Sequence, residues 1–404
     1  MKRKIYLKKT PWQEALHVFL SKCEASIPVA SEEISVEESL GRVAAEDVVA
    51  HISSPHYNAS AMDGVAVASG ETIGADLSAP KRLKIGEDAE FVDTGAPLPQ
   101  GFDAVVQIED VHHVDADTIE INSAVAPWHY VRQVGEDIRE GDLLVIRDSV
   151  IDPYDIGALL AGGVTSIPVR RKPRVGVLPT GSELVEPGDE LKPGSTVEFN
   201  SRMVKALVTQ WGGLCHRYAP VGDERDSLQE TVGRISGEND VLLIIAGSSA
   251  GRRDFTPQII EDLGEVFVHG VNVMPGKPVV LGRIEKRPVV GLPGYPVSAA
   301  IIMDLFVKPL LFAMLGVPPP ERPRVQARLS QRVVSKLGME EFVRVTLSGQ
   351  NGEVTAAPLG RGAGVITSLA KADGFLVVPA DVEGLEAGAM VEVELLKGSW
   401  RVSG

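Results

Sequence analysis

The residues with most chemistry to offer stand where short apolar runs end. Val241-Leu242-Leu243-Ile244-Ile245 runs without a polar break into Ala246-Gly247-Ser248-Ser249-Ala250-Gly251-Arg252-Arg253-Asp254. Glycines at 247 and 251 let backbone N–H groups face an anion, Ser248 and Ser249 add hydroxyl donors, the arginines add charge, and Asp254 offers a carboxylate to a metal. A Gly/Ser-rich loop also follows many strands that bind nothing, so its weight comes from its neighbours. Arg174-Val175-Gly176-Val177-Leu178 leads into Pro179-Thr180-Gly181-Ser182-Glu183, and Leu214 to Tyr218 leads to Asp223. Three successive strand ends therefore supply Glu183, Asp223 and Asp254. Carboxylates gathered on one sheet edge are costly to hold without a cation. Lys277 sits between Pro275 and Pro278 in a rigid turn, which favours an anion contact over an ordinary surface turn. Leu292-Pro293-Gly294-Tyr295-Pro296-Val297-Ser298 is a last strand end locked by Gly and Pro. Three further turns are rich in polar groups: Pro55 to Gly64 with Asp63, Asp93 to Pro99 with Thr94, and Arg132 to Ile138 with Asp137. Each alone is an ordinary strand connection.

The elements that must position these residues follow from periodicity. The spacing predicts a helix from about 10 to 23, with Thr10 as N-cap, Pro11 in the first turn, Gln13 closing a capping box, and Ala15, Leu16, Phe19, Leu20 and Cys23 inward. Asp152-Pro153 opens another helix, closed by Gly162-Gly163. From there strands and helices alternate, with Asn200 capping a helix, a polar helix reaching about Ile235, and a long apolar helix reaching about Leu315. Roughly residues 51–140 read instead as short strands separated by Gly, Pro and Asp turns, and so does the chain beyond Pro318-Pro319-Pro320. The expected fold class is α/β plus β and multidomain: a central α/β domain with a parallel-rich sheet, an inserted β domain and a small C-terminal β-barrel-like domain. The expected division is a connecting domain at roughly 24–50 and 141–169, the β insert at 51–140, the α/β domain at 1–23 and 170–317, and the C-terminal domain at 318–404.

The chain has 404 residues and a formal charge of −15. That balance argues against nucleic acid or an anionic membrane surface as the main partner, since both need a basic footprint. Cys23 and Cys215 are two isolated thiols, which fits neither a disulfide framework nor a zinc cluster and points to a reducing, cytoplasmic setting. The eight histidines have no metal-ligand spacing, and His112-His113 reads as a solvated turn. No signal peptide and no window of transmembrane length is expected.

Taken together, seven stretches in order resemble the molybdopterin molybdenumtransferase family, the MoeA and gephyrin E-domain group. They are Asn58 to Val67, Thr94 to Pro99, Gly135 to Ile138, Thr180 to Leu184, Gly247 to Asp254, Pro275 to Pro278, and Leu292 to Ser298. The resemblance implies an elongated homodimer that takes an adenylylated molybdopterin and molybdate, inserts the metal into the dithiolene and releases AMP with the help of Mg2+. It implies Asp63, Thr94, Asp137, Glu183 and Lys277 as catalytic and Asp223 and Asp254 as magnesium ligands. Thr180, Gly181, Gly247, Ser248, Ser249, Pro293, Ser298, Arg344 and Ser368 then bind substrate. It further leads us to expect that β-domain residues of one subunit complete the site of the other. This chain departs from the family pattern at Ala246-Gly247-Ser248-Ser249-Ala250-Gly251, at Tyr295 where asparagine is usual, and at Gly362-Ala363-Gly364, where the family often has serines near a proposed molybdate site. Arg344, Arg361 and Ser368 are then the polar candidates there, and tungstate stays open beside molybdate. A pterin adenylyltransferase using ATP, and a non-catalytic scaffold, are the competing readings. The acids at the strand ends argue against a scaffold.

Overall fold

Val241–Ala246 is a strand whose six residues are all buried. Pleating sends its side chains alternately to two cores. Val241, Leu243 and Ile245 join one cluster with Val175, Val177, Val204 and Val208. Leu242 and Ile244 join the other with Leu178, Leu228, Val232 and Ile235. In this computed structural model, which describes residues 10–246, 255–350 and 353–397, the strand is an inner member of a six-stranded sheet. The spatial order is Leu214–Arg217, Arg174–Pro179, Val241–Ala246, Arg287–Pro293, Val280–Ile284, Gly264–His269. The first four are parallel; Val280–Ile284 runs against Arg287–Pro293, and Gly264–His269 runs against Val280–Ile284 in turn. Helix Asn200–Gln210 covers one face and Arg225–Ser236 the other. The chain runs outward from Arg174–Pro179 to the edge strand and returns to Val241–Ala246 on the opposite side. Strand order thus reverses between those two, which opens a crevice beyond their carboxyl ends.

The helix predicted at 10–23 spans Trp12–Lys22, but its cap differs. Thr10 pairs in a β-bridge with Val271, and the Trp12 N–H donates to Asn272 Oδ1 at 3.0 Å. Gln13 reaches Glu340 at 3.4 Å rather than its own helix. A partner distant in sequence satisfies the free N–H, so no local capping box is needed. Asn200 is likewise the first helical residue, not the cap; the Ser201 N–H donates to Glu198 instead, at 2.8 Å. The helix at Asp152 is capped by Asp152 as expected, and Asp155 adds the reciprocal bond of a capping box.

The long apolar helix reaches Leu315 through a π turn at Met303–Val307 and ends at Gly316 in the left-handed region, φ 82°. The expectation that no segment attains transmembrane length fails here: Pro296–Leu315 has 20 residues and is apolar enough, by length and composition, to cross a membrane. Its apolarity has a different cause. Ile301, Ile302, Phe306, Leu310 and Met314 lie in the core under the sheet, so the helix is apolar nearly all round because it is enclosed.

Beyond it, Arg324–Leu329, Glu340–Gln350, Glu353–Pro358, Gly374–Val378 and Met390–Leu395 close into a five-stranded barrel. Val273–Met274 adds to it as a sixth, parallel strand beside Glu340 and Glu341. The proline-rich connection is tied down, Arg322 holding Asp304 with two hydrogen bonds of 2.6 and 2.7 Å.

Ser31–Val169 forms one compact unit and Met1–Ala30 with Arg170–Gly404 the other. In it, Gly64–Val67 is the centre of a three-stranded antiparallel sheet and Thr118–Ile121 the centre of another. His112 and His113 lie in the strand Val111–His113 rather than a turn, and His113 stacks on Phe91. Val48–Val49 pairs with Leu143–Val145 in the part that flanks the insert.

Phe306 is fully enclosed. Replacing it with alanine is expected to lower unfolding stability by about 3–5 kcal/mol, read from the urea midpoint; a loss under about 1 kcal/mol would show the helix to be loosely packed.

Candidate active site

The crevice is built from three consecutive strand ends. At Thr180, both the N–H and the hydroxyl bond the Ile245 carbonyl, at 2.9 and 3.1 Å, and the side chain is buried. The Gly181 N–H bonds Val221 O at 3.0 Å. These two residues therefore zip the strand ends together and form the wall of the crevice. Gly181 has φ 147°, and a Cβ there would lie 2.7 Å from the Glu183 carboxylate, so only glycine lets Glu183 fold back over the turn. Ser182 and Asp223 meet across the neighbouring strand ends: the Asp223 N–H donates to Ser182 Oγ at 3.2 Å, and that hydroxyl lies 3.5 Å from Asp223 Oδ2. Glu183 is exposed and Asp223 half-buried. Gly247, Ser248, Ser249 and Asp254 lie outside the described residues.

Val280 pairs with Gly291, which places the turn before it beyond the carboxyl end of Arg287–Pro293. Lys277 is in that turn, on the same edge as the crevice. Its carbonyl accepts from Val271 at 2.9 Å, and its ammonium has no hydrogen bond or ion pair among the described residues. Pro293 ends the strand and Ser298 lies in the first turn of the helix that follows, both buried. Asn200 Nδ2 donates to Gly294 O at 2.6 Å, fastening this turn to the helix that begins at Asn200. The loop carrying Arg361 packs on the same turn, with the Val297 N–H bonded to Ala363 O at 3.1 Å.

The barrel contributes Arg344, which is 2% exposed and donates through Nη2 to the carbonyls of Gly360 and Gly362. Ser368 is buried with its hydroxyl on Val365 O at 2.6 Å, so it caps its own turn. Between Met274-Pro275 and the barrel a cavity of about 380 Å³ is bordered by Glu341, Arg344 and Arg361.

In the other unit, the three turns singled out by sequence converge. The Tyr57 hydroxyl donates to Gly95 O, Ser60 N–H to Ala96 O, Leu98 N–H to Asn58 O, and Val134 N–H to Asn58 Oδ1, all between 2.8 and 3.0 Å. Asp63 accepts from the Thr94 N–H at 2.7 Å and the Thr94 hydroxyl at 2.8 Å. Those bonds, backbone first, hold the Asp63 carboxyl below its ordinary range. Asp137 is exposed on the third turn.

Sequence reading missed a network of charges around one buried carboxylate beside the crevice. Glu198, 2% exposed, accepts from Ser201, Arg202 and Arg217, and Glu186 bridges the same two arginines. It pins the segment after Glu183 to the edge strand; scattered over 31 residues with no periodicity, it left no sequence signal.

A doubly wound sheet with acids beside its switch point, followed by a closed barrel, defines the class: an α/β protein whose ligand crevice lies at the carboxyl edge of its sheet. Residues 10–163 match the MoeA N-terminal region (domain I and II), 176–313 the probable molybdopterin binding domain, and 326–396 the MoeA C-terminal region (domain IV). Molybdopterin molybdenumtransferase 2 of Mycobacterium tuberculosis is 32% identical over 94% of this chain and 98% of its own. Molybdopterin molybdenumtransferase of Bacillus subtilis is 30% identical over 91% and 90%. A crystal structure of the molybdopterin biosynthesis MoeA protein from Pyrococcus horikoshii superposes with TM-score 0.84 at 36% identity, covering 97% of this chain and all of that one. The chain belongs to the MoeA family.

Removing the hydroxyl with Thr94→Ala leaves Asp63 one donor fewer. Its titration, followed by carboxyl carbon NMR, is expected to move up toward the ordinary aspartate range; an unchanged midpoint would show that the hydroxyl has no hold on it.

Proposed function

We propose that the protein inserts molybdate into adenylylated molybdopterin and releases AMP, as a cytoplasmic homodimeric transferase of molybdenum cofactor biosynthesis. What supports this reading is Lys277: an ammonium without a partner among the described residues, fixed on the same sheet edge as Asp223, Ser182 and Glu183, and so suited to a phosphate or oxyanion. Cleavage of a phosphoanhydride P–O bond puts negative charge on the departing phosphate, and a cation already in place lowers that barrier. The names of the relatives supply the substrate class.

A magnesium ion fits the donors present. Among the described residues no three His, Cys, Asp or Glu side chains gather into a metal-holding group. Yet Mg2+ commonly takes one or two carboxylates and completes its shell with water and substrate phosphate. Asp223 with the Ser182 hydroxyl is an oxygen pair of that kind, and Asp254 is its proposed companion. When bound, the ion would neutralise phosphate oxygens. Glu183, held over Gly181, borders the same opening, while Pro293 and Ser298 form its floor and Thr180 and Gly181 its wall. Gly247, Ser248 and Ser249 are proposed to meet the pterin or pyrophosphate. Arg344 is proposed to take the oxyanion, with Ser368 fixing the turn beside it; molybdate and tungstate share the chemistry for which it is suited. Asp63, kept ionised by Thr94, and Asp137 are proposed as further catalytic groups.

The test is to incubate the protein with adenylylated molybdopterin, magnesium and molybdate and to measure AMP. Release is expected only when both ions are present. AMP without molybdate would refute insertion, pyrophosphate from ATP and molybdopterin would identify an adenylyltransferase, and silence in every arm would leave a scaffold. Lys277→Ala is expected to slow AMP release by about 10²-fold with the fold intact by circular dichroism.

A further inference from the structure

Around the cavity bordered by Met274, Pro275, Glu341, Phe342, Arg344 and Arg361, two buried polar atoms have no partner among the described residues. Arg344 is 2% exposed and its Nε has no acceptor; Glu341 is 5% exposed and its Oε2 has no donor. The other Glu341 oxygen lies 3.4 Å from Arg361 Nη2. Burial pushes the Arg344 guanidinium toward losing its proton, and the Glu341 carboxylate acts in the opposite sense, so the two groups feel each other. An orphan donor and an orphan acceptor around one cavity are costly unless a ligand answers both.

Charge decides what that ligand brings. Two arginines and one carboxylate give the cavity a net charge of about +1, since arginine does not deprotonate in proteins. A tetrahedral dianion such as molybdate would leave about −1 beside the buried Glu341 and Arg344 and would set its oxygens against Glu341 Oε2. One added proton brings the sum to zero and turns that repulsion into an O–H···O hydrogen bond.

We propose that oxyanion binding at Arg344 is coupled to the uptake of one proton, shared between the oxyanion and Glu341. This rests on the placement of the oxyanion at Arg344 given above. The charged neighbours of Glu341 are Arg344 on its own strand and Arg361 from the loop after Glu353–Pro358. Met274 and Val378 on the paired strands are apolar. The adjacent Glu340 has its carboxylate engaged by Trp12 Nε1 at 2.9 Å and Gln13 Nε2 at 3.4 Å. Glu341 is thus the acceptor for the proton, and it makes the cavity favour an oxyanion basic enough to share one over the weakly basic sulfate.

Molybdate titrated into the full-length protein by calorimetry, in two buffers of different ionisation enthalpy, counts the protons. The wild type is expected to take up close to one proton per molybdate, with affinity rising about tenfold for each unit fall in pH across the neutral range. Glu341→Gln supplies an amide N–H without titrating, so its uptake should vanish, its affinity should be flat with pH, and sulfate should compete better than against the wild type. Wild-type binding without proton uptake, or undiminished uptake in Glu341→Gln with native circular dichroism, overturns the proposal. Arg344→Gln separates the two levels: if it binds molybdate as tightly as the wild type, or if the wild type binds none at millimolar concentration, the placement at Arg344 is wrong. If Arg344→Gln loses binding while proton uptake is absent, the placement stands and only the role of Glu341 falls.

Discussion

A parallel strand buried on both faces can carry polar chemistry only where it ends. Val241–Ala246 meets that condition over its whole length, and the flanking Arg174–Pro179 and Arg287–Pro293 nearly so. The register of these strands therefore determines which side chains share an opening. Since Pro179 pairs with Ile245 and Ala246 with Pro293, the chain leaves the sheet at one level, and the turns after Pro179 and Pro293 open on the same edge. The pleat, the two helical layers and the enclosed helix at Pro296–Leu315 all serve to keep that edge aligned.

This explains which parts were legible. Apolar runs with β-branched residues and the glycine-punctuated turns after them are local signals, and they located the sheet strands, the barrel and the turns carrying Asp63, Thr94 and Asp137. Helix caps were less legible, because the Trp12 N–H is satisfied by Asn272 and the Ser201 N–H by Glu198, neither at the position a capping rule searches. The length test for a membrane span likewise reads composition alone, and Pro296–Leu315 is apolar because sheet, helix and barrel surround it. The donors of Thr180 and Gly181, which a Gly/Thr turn offers to a ligand, bond across the ends of neighbouring strands for a related reason.

Least legible were charges whose partners lie far along the chain. Glu186, Glu198, Arg202 and Arg217 stand in unrelated local contexts, and only folding makes them one network. Glu341 and Arg361 are similar, separated by a full hairpin and joined at the barrel mouth. Pairwise ion contacts of this sort add little to stability where they are exposed, but a carboxylate as enclosed as Glu198 requires each of its donors.

The strand Val273–Met274 belongs by sequence to the α/β half and by hydrogen bonding to the barrel, and Trp12 is bonded to Glu340 from the other end of the chain. The seam between these modules thus does not follow the proline-rich connection. An exchange of barrels between relatives cut at that connection would set the transplanted barrel against a foreign sixth strand and leave the Glu340 carboxylate facing a foreign helix. A graft that carries residues 270–275 and the first helix along with the barrel keeps the joint whole, which makes three separated stretches of sequence a single heritable part.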